Sequence, residues 1–300
     1  MTTTTSSNSN PKQYFDIHTL GRGYIQRVRE VPVKGAQPYL ACTIAALIGP
    51  AKSTVLRYFD VRVAGGEAKK LVRNYLGVDE RKCRPLVRFR LGDPWVSPFI
   101  RSSGEHQGEA AASVKSRLLQ VELLDYAELE QIEQHELITW GIGYLSQPKD
   151  TMKDGAPHLS CSIAALTGPV DIPSGQQREY RYFNTVVTGE DAQTLVRRYT
   201  QAVNANQKVL IAFKLNDMWA DPYIRTSGEK IGQAAATLQS ELTHINLVKV
   251  DGEQVYPESN APATEDATAP EETPAADEDN GELQPSAPVD APVQEPAQVA

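Results

Sequence analysis

Short alternating segments separated by Gly and Pro dominate the first 126 residues. Tyr24–Val33 and Tyr39–Leu47 are rich in β-branched and apolar residues and read as two strands. Tyr58–Val63 alternates strictly: Phe59, Val61 and Val63 lie on one face, Tyr58, Asp60 and Arg62 on the other, as in a half-buried third strand. Gly65-Gly66 breaks it. Ala68, Leu71, Val72 and Tyr75 then recur at helical spacing over Glu67–Leu76, with Gly77 as a stop signal. Leu86–Leu91 predicts a fourth strand with Val87, Phe89 and Leu91 inward and Arg88 and Arg90 outward. A long loop with Trp95, Phe99 and Arg101 leads to a last strand near Lys115–Leu123.

The same order returns about 120 residues later. Gly21-Arg22-Gly23-Tyr24 reappears as Gly141-Ile142-Gly143-Tyr144, and YLACTIAALIGP (39–50) as HLSCSIAALTGP (158–169). Arg57-Tyr58-Phe59 matches Arg181-Tyr182-Phe183, Asp93-Pro94-Trp95 matches Asp217-Met218-Trp219, and Pro98-Phe99-Ile100-Arg101 matches Pro222-Tyr223-Ile224-Arg225. A period this long is a whole small domain, so the chain is a tandem duplication. Copy two predicts strand Tyr182–Val187, helix Asp191–Ala202, strand Val209–Leu215, loop Asn216–Gln233 and strand Leu238–Val248. Three strands, a helix and two strands is the order of the OB-fold, a five-stranded barrel that commonly holds oligonucleotides; a mixed α+β sandwich is the alternative. The expected fold class is all-β with one helix per domain. Domain 1 (14–126) and domain 2 (137–256) are two OB-like barrels, joined by an acidic linker (127–136) and flanked by disordered ends (1–13 and 257–300).

Charge sharpens this division. The net charge of −8 conceals eleven Asp/Glu and no Lys/Arg from Pro257 to Ala300. Tyr14–Tyr126 has 18 basic and 11 acidic residues, Ala127–Glu136 has four Glu, and Leu137–Tyr256 has 11 basic and 12 acidic. The Pro/Ala/Glu-rich tail has too few large apolar residues to fold. No apolar run reaches the ~18 residues of a membrane span, and the Thr/Ser/Asn-rich Met1–Asn10 does not read as a secretory signal. Cys42, Cys83 and Cys161 lack metal-ligand spacing, and a cytoplasmic location is expected. Cys42 and Cys161 sit in apolar strands as small buried hydrophobes.

The five histidines His18, His106, His135, His158 and His244 have no counterparts between copies, no carboxylate cluster suggests two-metal chemistry, and no Walker-type loop is present. No catalysis, metal or cofactor is therefore expected. Gly21, Gly23, Gly141 and Gly143 lack a dinucleotide fingerprint and read as strand bends. Trp140 matches Leu20 and reads as structural.

The segment from Arg57 to Leu124 resembles the second half of bacterial single-stranded-DNA-binding proteins. Tyr58, Gly65, Ala68, Tyr75-Leu76, Arg88–Leu91 and Trp95 occupy comparable places. The resemblance puts Tyr58, Trp95, Tyr182 and Trp219 where that family has base-stacking aromatics. It also suggests a role for the acidic tail in recruiting replication or conjugation proteins, although the tail ends Pro296-Ala297-Gln298-Val299-Ala300 without that family's Pro-Phe tip. Over nearly the whole chain, the Gly-x-Gly-Tyr start, the Cys-x-Ile-Ala-Ala-Leu-x-Gly-Pro strand, the Arg-Tyr-Phe-[Asp/Asn] strand and the Trp-x-x-Pro-[Phe/Tyr] loop resemble a bacterial family of integrative and conjugative elements. Its domain was long labelled as of unknown function, and its members are described as replication proteins of those elements. That resemblance implies maintenance or transfer of a mobile element.

Binding an unpaired strand without regard to sequence needs cations along a groove and flat rings for the bases. The candidate residues are Tyr58, Arg62, Arg88, Arg90, Trp95, Phe99 and Arg101 in copy one, and Tyr182, Lys214, Trp219, Tyr223 and Arg225 in copy two. Copy two dilutes the charge, with Val186 for Arg62 and Ala212 for Arg88, so copy one is expected to bind more tightly and with a steeper salt dependence. The tail, a tethered polyanion, is expected to compete for that groove. Arg57, Arg181, Arg101 and Arg225 suit either phosphates or Asp/Glu partners. The expected ligand is single-stranded DNA, with RNA left open, away from membranes. The rival reading is a non-catalytic protein-interaction or oligomerisation module, in which the duplication builds an intramolecular dimer or a homo-oligomer and the aromatics anchor an interface.

Overall fold

A computed structural model describes residues 13–79, 82–153, 155–172 and 175–257. The two segments read as disordered, 1–13 and 257–300, lie outside the described residues except for Gln13 and Pro257. Copy one comprises β1 (Tyr14–Phe15), β2 (His18–Val33), β3 (Ala36–Pro50), β4 (Val55–Val63), α1 (Gly66–Arg73), β5 (Leu86–Ile100) and β6 (Ala110–Leu123). The joint holds α2 (Tyr126–Glu130) and β7 (Gln134–His135). Copy two follows with β8 (Ile138–Lys153), β9 (Ala156–Leu166), β10 (Gly168–Pro169), β11 (Tyr180–Val187), α3 (Glu190–Asn204), β12 (Val209–Ile224), β13 (Ala234–Val250) and β14 (Glu253–Tyr256).

Each copy closes a five-stranded barrel. In copy one the strands run β2-β3-β4-β6-β5 and back to β2, with β4–β6 parallel and the other pairs antiparallel. In copy two, β8-β9-β11-β13-β12 closes on β8 in the same way, with β11–β13 parallel. With a helix between the third and fourth strands of each, this is the OB order read from the sequence. The alternating residues fill the interior: Phe59, Phe89, Phe183 and Phe213 are all buried, and the Phe183 and Phe213 rings pack 6.1 Å apart. Cys42 and Cys161 share this core, and burial pushes their thiols up to about 12 and about 11.

The Gly-x-Gly motifs lie inside long first strands that start at His18 and Ile138, earlier than the apolar pattern alone indicates. Gly23 allows β2 and β3 to approach closely: a Cβ there would lie 2.3 Å from the Ala45 carbonyl oxygen, and one at Gly143 2.7 Å from the Ala165 Cα.

The fourth and fifth strands depart most from expectation. Trp95 and Phe99 lie in β5, not in a loop, because β5 and β6 continue as a hairpin arm, and β12 and β13 repeat the arrangement. A bulge at Gly92–Trp95, with Asp93 at φ +51°, turns the strand past Pro94; the counterpart is Asp217 at φ +55°. Pro98 then lies where β5 pairs only with β6, an edge that tolerates proline.

The barrels are joined by a pseudo-twofold axis. β2 and β8 pair antiparallel with Thr19 opposite Thr139, and their fully buried hydroxyl oxygens are 2.9 Å apart. Equivalent residues meeting in this way make an isologous contact within one chain. Each barrel also docks its leading segment on the other. β1 pairs with β10 and the Val170 N–H donates to the Gln13 carbonyl (2.8 Å); β7 pairs with Gly49-Pro50 and the Ala51 N–H donates to the Glu133 carbonyl (2.9 Å). The acidic joint is thus partly ordered, with α2 capped by the Asp125 side chain and β7 serving as a strap.

Candidate nucleic-acid interface

The third strand of each barrel presents its alternating outer face. On β4, Tyr58 (56% exposed), Asp60 and Arg62 point outward; on β11, Tyr180, Tyr182 (65% exposed), Asn184 and Val186 do so. The Tyr182 ring lies 6.3 Å from Tyr180, which lies 6.5 Å from Tyr144, so three rings run in sequence across copy two. The matching positions in copy one are Tyr58, Leu56 and Tyr24.

The hairpin arms bring the copies together. The β5–β6 arm packs against β12 and β13, placing Trp95 beside β11 of the other barrel. The result is a cleft of about 760 Å³ in which Trp95, Arg62 and Arg117 of copy one face Tyr180 and Tyr182 of copy two. The rings expected to share one barrel's face are therefore combined across the axis, Trp95 with Tyr182. A smaller cleft of about 260 Å³ on copy two lies among Lys149, Ser162, Asn184 and Gln239, where copy one has Arg29, Thr43, Asp60 and Lys115.

Two reciprocal arginine–aspartate forks brace this joint. Arg57 donates from Nε and Nη2 to the Asp217 carboxylate (2.9 and 2.7 Å), and Arg181 donates likewise to Asp93 (2.8 and 3.0 Å). Of the two readings open to Arg57 and Arg181, the structure shows carboxylate pairing, across the axis. The Arg57 guanidinium also lies over the Trp219 ring, 5.1 Å from its centroid.

The remaining candidates are distributed more widely than along a single groove. Arg62 stacks over Tyr39 at 4.9 Å at the mouth of the large cleft. Arg88 and Arg90 belong to β5, which is separated from β4 by β6, so they do not stand beside Tyr58. Arg88 pairs with Glu122 (3.1 Å) and Glu128 (3.8 Å). Arg90 Nε donates to His18 Nδ1 (3.3 Å), and the His18 ring lies 6.0 Å from Trp140 at the joint. Lys214 lies opposite Trp140 in the β12–β8 register. Phe99 (40% exposed) and Tyr223 (42%) lie on the outer reaches of the hairpin arms, close to Arg101 and Arg225 at the strand ends.

Sequence reasoning passed over Tyr180 and Arg117. Tyr180 carried a signal, since it precedes Tyr182 by two residues and so shares its face. Arg117 alternates with the buried Ser116 and Leu118.

Electrostatics differ between the two forks. Asp93 accepts a third cationic contact, from Arg117 Nη2 (2.9 Å), and a hydrogen bond from Thr167 (3.1 Å). Burial alone would raise the Asp93 carboxyl, but the hydrogen bonds and charges of Arg181 and Arg117 outweigh it and hold the group below its usual range. The hydrogen bonds that Arg57 donates to Asp217 raise its guanidinium further above its already high value. Because the folded value of Asp93 is depressed, its stabilising contribution is complete above the ordinary carboxylate range and is lost as pH falls through the folded value. Asp93→Asn is therefore expected to lower the melting temperature by several degrees at pH 7. The gap to the parent should shrink below about pH 4, and a gap that persists unchanged in acid would contradict this account.

Among the described residues, no group of three His, Cys, Asp or Glu is placed to hold a metal ion, and no helix is long and apolar enough to cross a membrane. No curated protein matches the sequence. The chain is similar to the crystal structure of a deletion mutant of the single-stranded DNA binding protein from Thermus aquaticus, at 11% identity and a TM-score of 0.45, over 82% of this chain and 98% of that one. A family model described as "Protein of unknown function (DUF3577)" matches residues 8–126 and again 128–264, and the chain belongs to that family, with its domain present twice.

Proposed function

We propose that this chain binds single-stranded DNA without strong sequence preference and without catalysis. The observation that carries the proposal is the inter-barrel cleft, in which Trp95, Tyr180 and Tyr182 stand beside Arg62 and Arg117. Rings offer surfaces for unstacked bases, each worth about 1–3 kcal/mol, and guanidinium groups neutralise the phosphates between them. A duplex keeps its base faces stacked and offers the rings nothing. The resemblance of the repeated motifs to proteins of integrative and conjugative elements supports a role for this binding in replication or transfer of a mobile element.

Titration of the full chain with oligothymidine tests the reading. Tryptophan emission is expected to be quenched, affinity to fall steeply with salt, and duplex DNA of equal length to compete poorly. Arg62→Ala is expected to reduce the slope of log K against log salt by about 0.7, one phosphate's share for a single strand. Absence of quenching together with salt-insensitive self-association would replace this reading with the protein-docking one. An RNA arm of the same length decides between the two polynucleotides.

A further inference from the structure

The duplication invites the assumption that the pseudo-twofold axis creates two equivalent clefts. The residues on the two sides differ at three positions that matter, all in the same direction. The described cleft has Tyr180, Arg62 and Arg117; the symmetry-related positions hold Leu56, Val186 and Glu241. One substitution removes a ring, one removes a cation, and one reverses a charge. Counting the forks and the carboxylate beside Arg181, the first side has three arginines against Asp93 and Glu179, a net of +1. The second has Arg57 against Asp217 and Glu241, a net of −1.

Access to the second tryptophan differs as well. Arg57 is held bidentate by Asp217 and lies over the Trp219 ring, covering a face that a base would need. On the first side Tyr180 and Tyr182, 6.3 Å apart, line the same cleft as Trp95 of the other copy. A strand following those rings leaves copy two and arrives beside Arg62 and Arg117 of copy one.

We infer that the chain carries one composite strand-binding cleft, its stacking tyrosines supplied by copy two and its phosphate-binding arginines by copy one. The symmetry-related side is a structural brace. This inference rests on the single-strand reading and adds a division of labour that makes both copies necessary for one site.

Two sets of variants of the full chain test it. Tyr58 and Tyr182 are equivalent and both exposed, so replacing either leaves the folded barrels intact, which melting curves check. Tyr182→Ala is expected to weaken oligothymidine binding by about tenfold and Tyr58→Ala by less than about twofold. In the second set, the parent chain is expected to bind one oligothymidine of about eight nucleotides, a length within the range a single OB barrel covers. Val186→Arg with Glu241→Arg is expected to create a second, weaker binding event. Equal losses from the two tyrosine variants, or two equal sites on the parent chain, would overturn the composite cleft while leaving single-strand binding in place. No binding by the parent chain would overturn the single-strand reading and the cleft with it.

Discussion

Arg57→Ala is expected to destabilise the chain by about 3 kcal/mol and Arg181→Ala by only about 1 kcal/mol, although the two residues are equivalent and make the same fork. The difference comes from what each variant leaves behind. Without Arg181, Asp93 keeps Arg117 at 2.9 Å and the Thr167 hydroxyl at 3.1 Å, so its charge stays compensated. Without Arg57, the nearly buried Asp217 carboxylate keeps the hydrogen bond from the Met218 N–H (2.6 Å), and Glu241 stands where copy one has Arg117. Removing one partner of a sheltered pair is costly because the remaining charge stays desolvated. In a chain of this size 3 kcal/mol corresponds to about 6–12 °C in melting temperature, against about 2–4 °C for Arg181→Ala. Calorimetry of the two variants at neutral pH measures this. The reverse ranking would show that the forks are not what sets the joint's stability.

That asymmetry also marks the limit of what the sequence reveals. The barrel is legible because its driving forces are local in pattern: Phe59, Val61 and Val63 alternate, Ala68 and Val72 recur at helical spacing, and Gly65 separates strand from helix. The hairpin arm is less so. Pro94, Pro98 and Asp93 are loop residues by composition, but a bulged edge strand accommodates all three. The joint is least legible, since Arg57 pairs with a residue 160 positions away and no periodicity encodes which barrel a side chain serves. One trace survives. A self-complementary contact needs both partners in both copies, and Arg57 with Asp93 returns as Arg181 with Asp217 even where the surrounding charges change. The candidate site divides along the same line: Tyr58, Tyr182 and Arg62 could be placed on an outer face from alternation alone, whereas the meeting of Trp95 with Tyr182 depends on the dyad.

The axis itself offers the most severe test of the arrangement. Thr19→Asp combined with Thr139→Asp puts two carboxyl groups where two hydroxyl oxygens now lie 2.9 Å apart in a fully buried site. Two carboxylates cannot both ionise there, so the folded pair retains a proton that the unfolded chain releases near pH 4. With the folded value raised, stability is highest below about pH 4 and falls by about 1.4 kcal/mol per pH unit above it, or about 4 kcal/mol by pH 7. The double variant should therefore melt at a higher temperature in mild acid than at neutrality. The parent should show no such trend between pH 4 and 7, because Asp93, the group held low by its arginines, titrates below that window, and His135, held low by burial, favours the folded chain toward neutrality rather than in acid. Thr19→Val with Thr139→Val provides the control: it removes both partners of one hydrogen bond while preserving shape, and is expected to change stability by less than about 1 kcal/mol. A double aspartate variant whose stability does not change with pH would mean that water reaches these side chains and that the two barrels do not share a dry contact at their first strands.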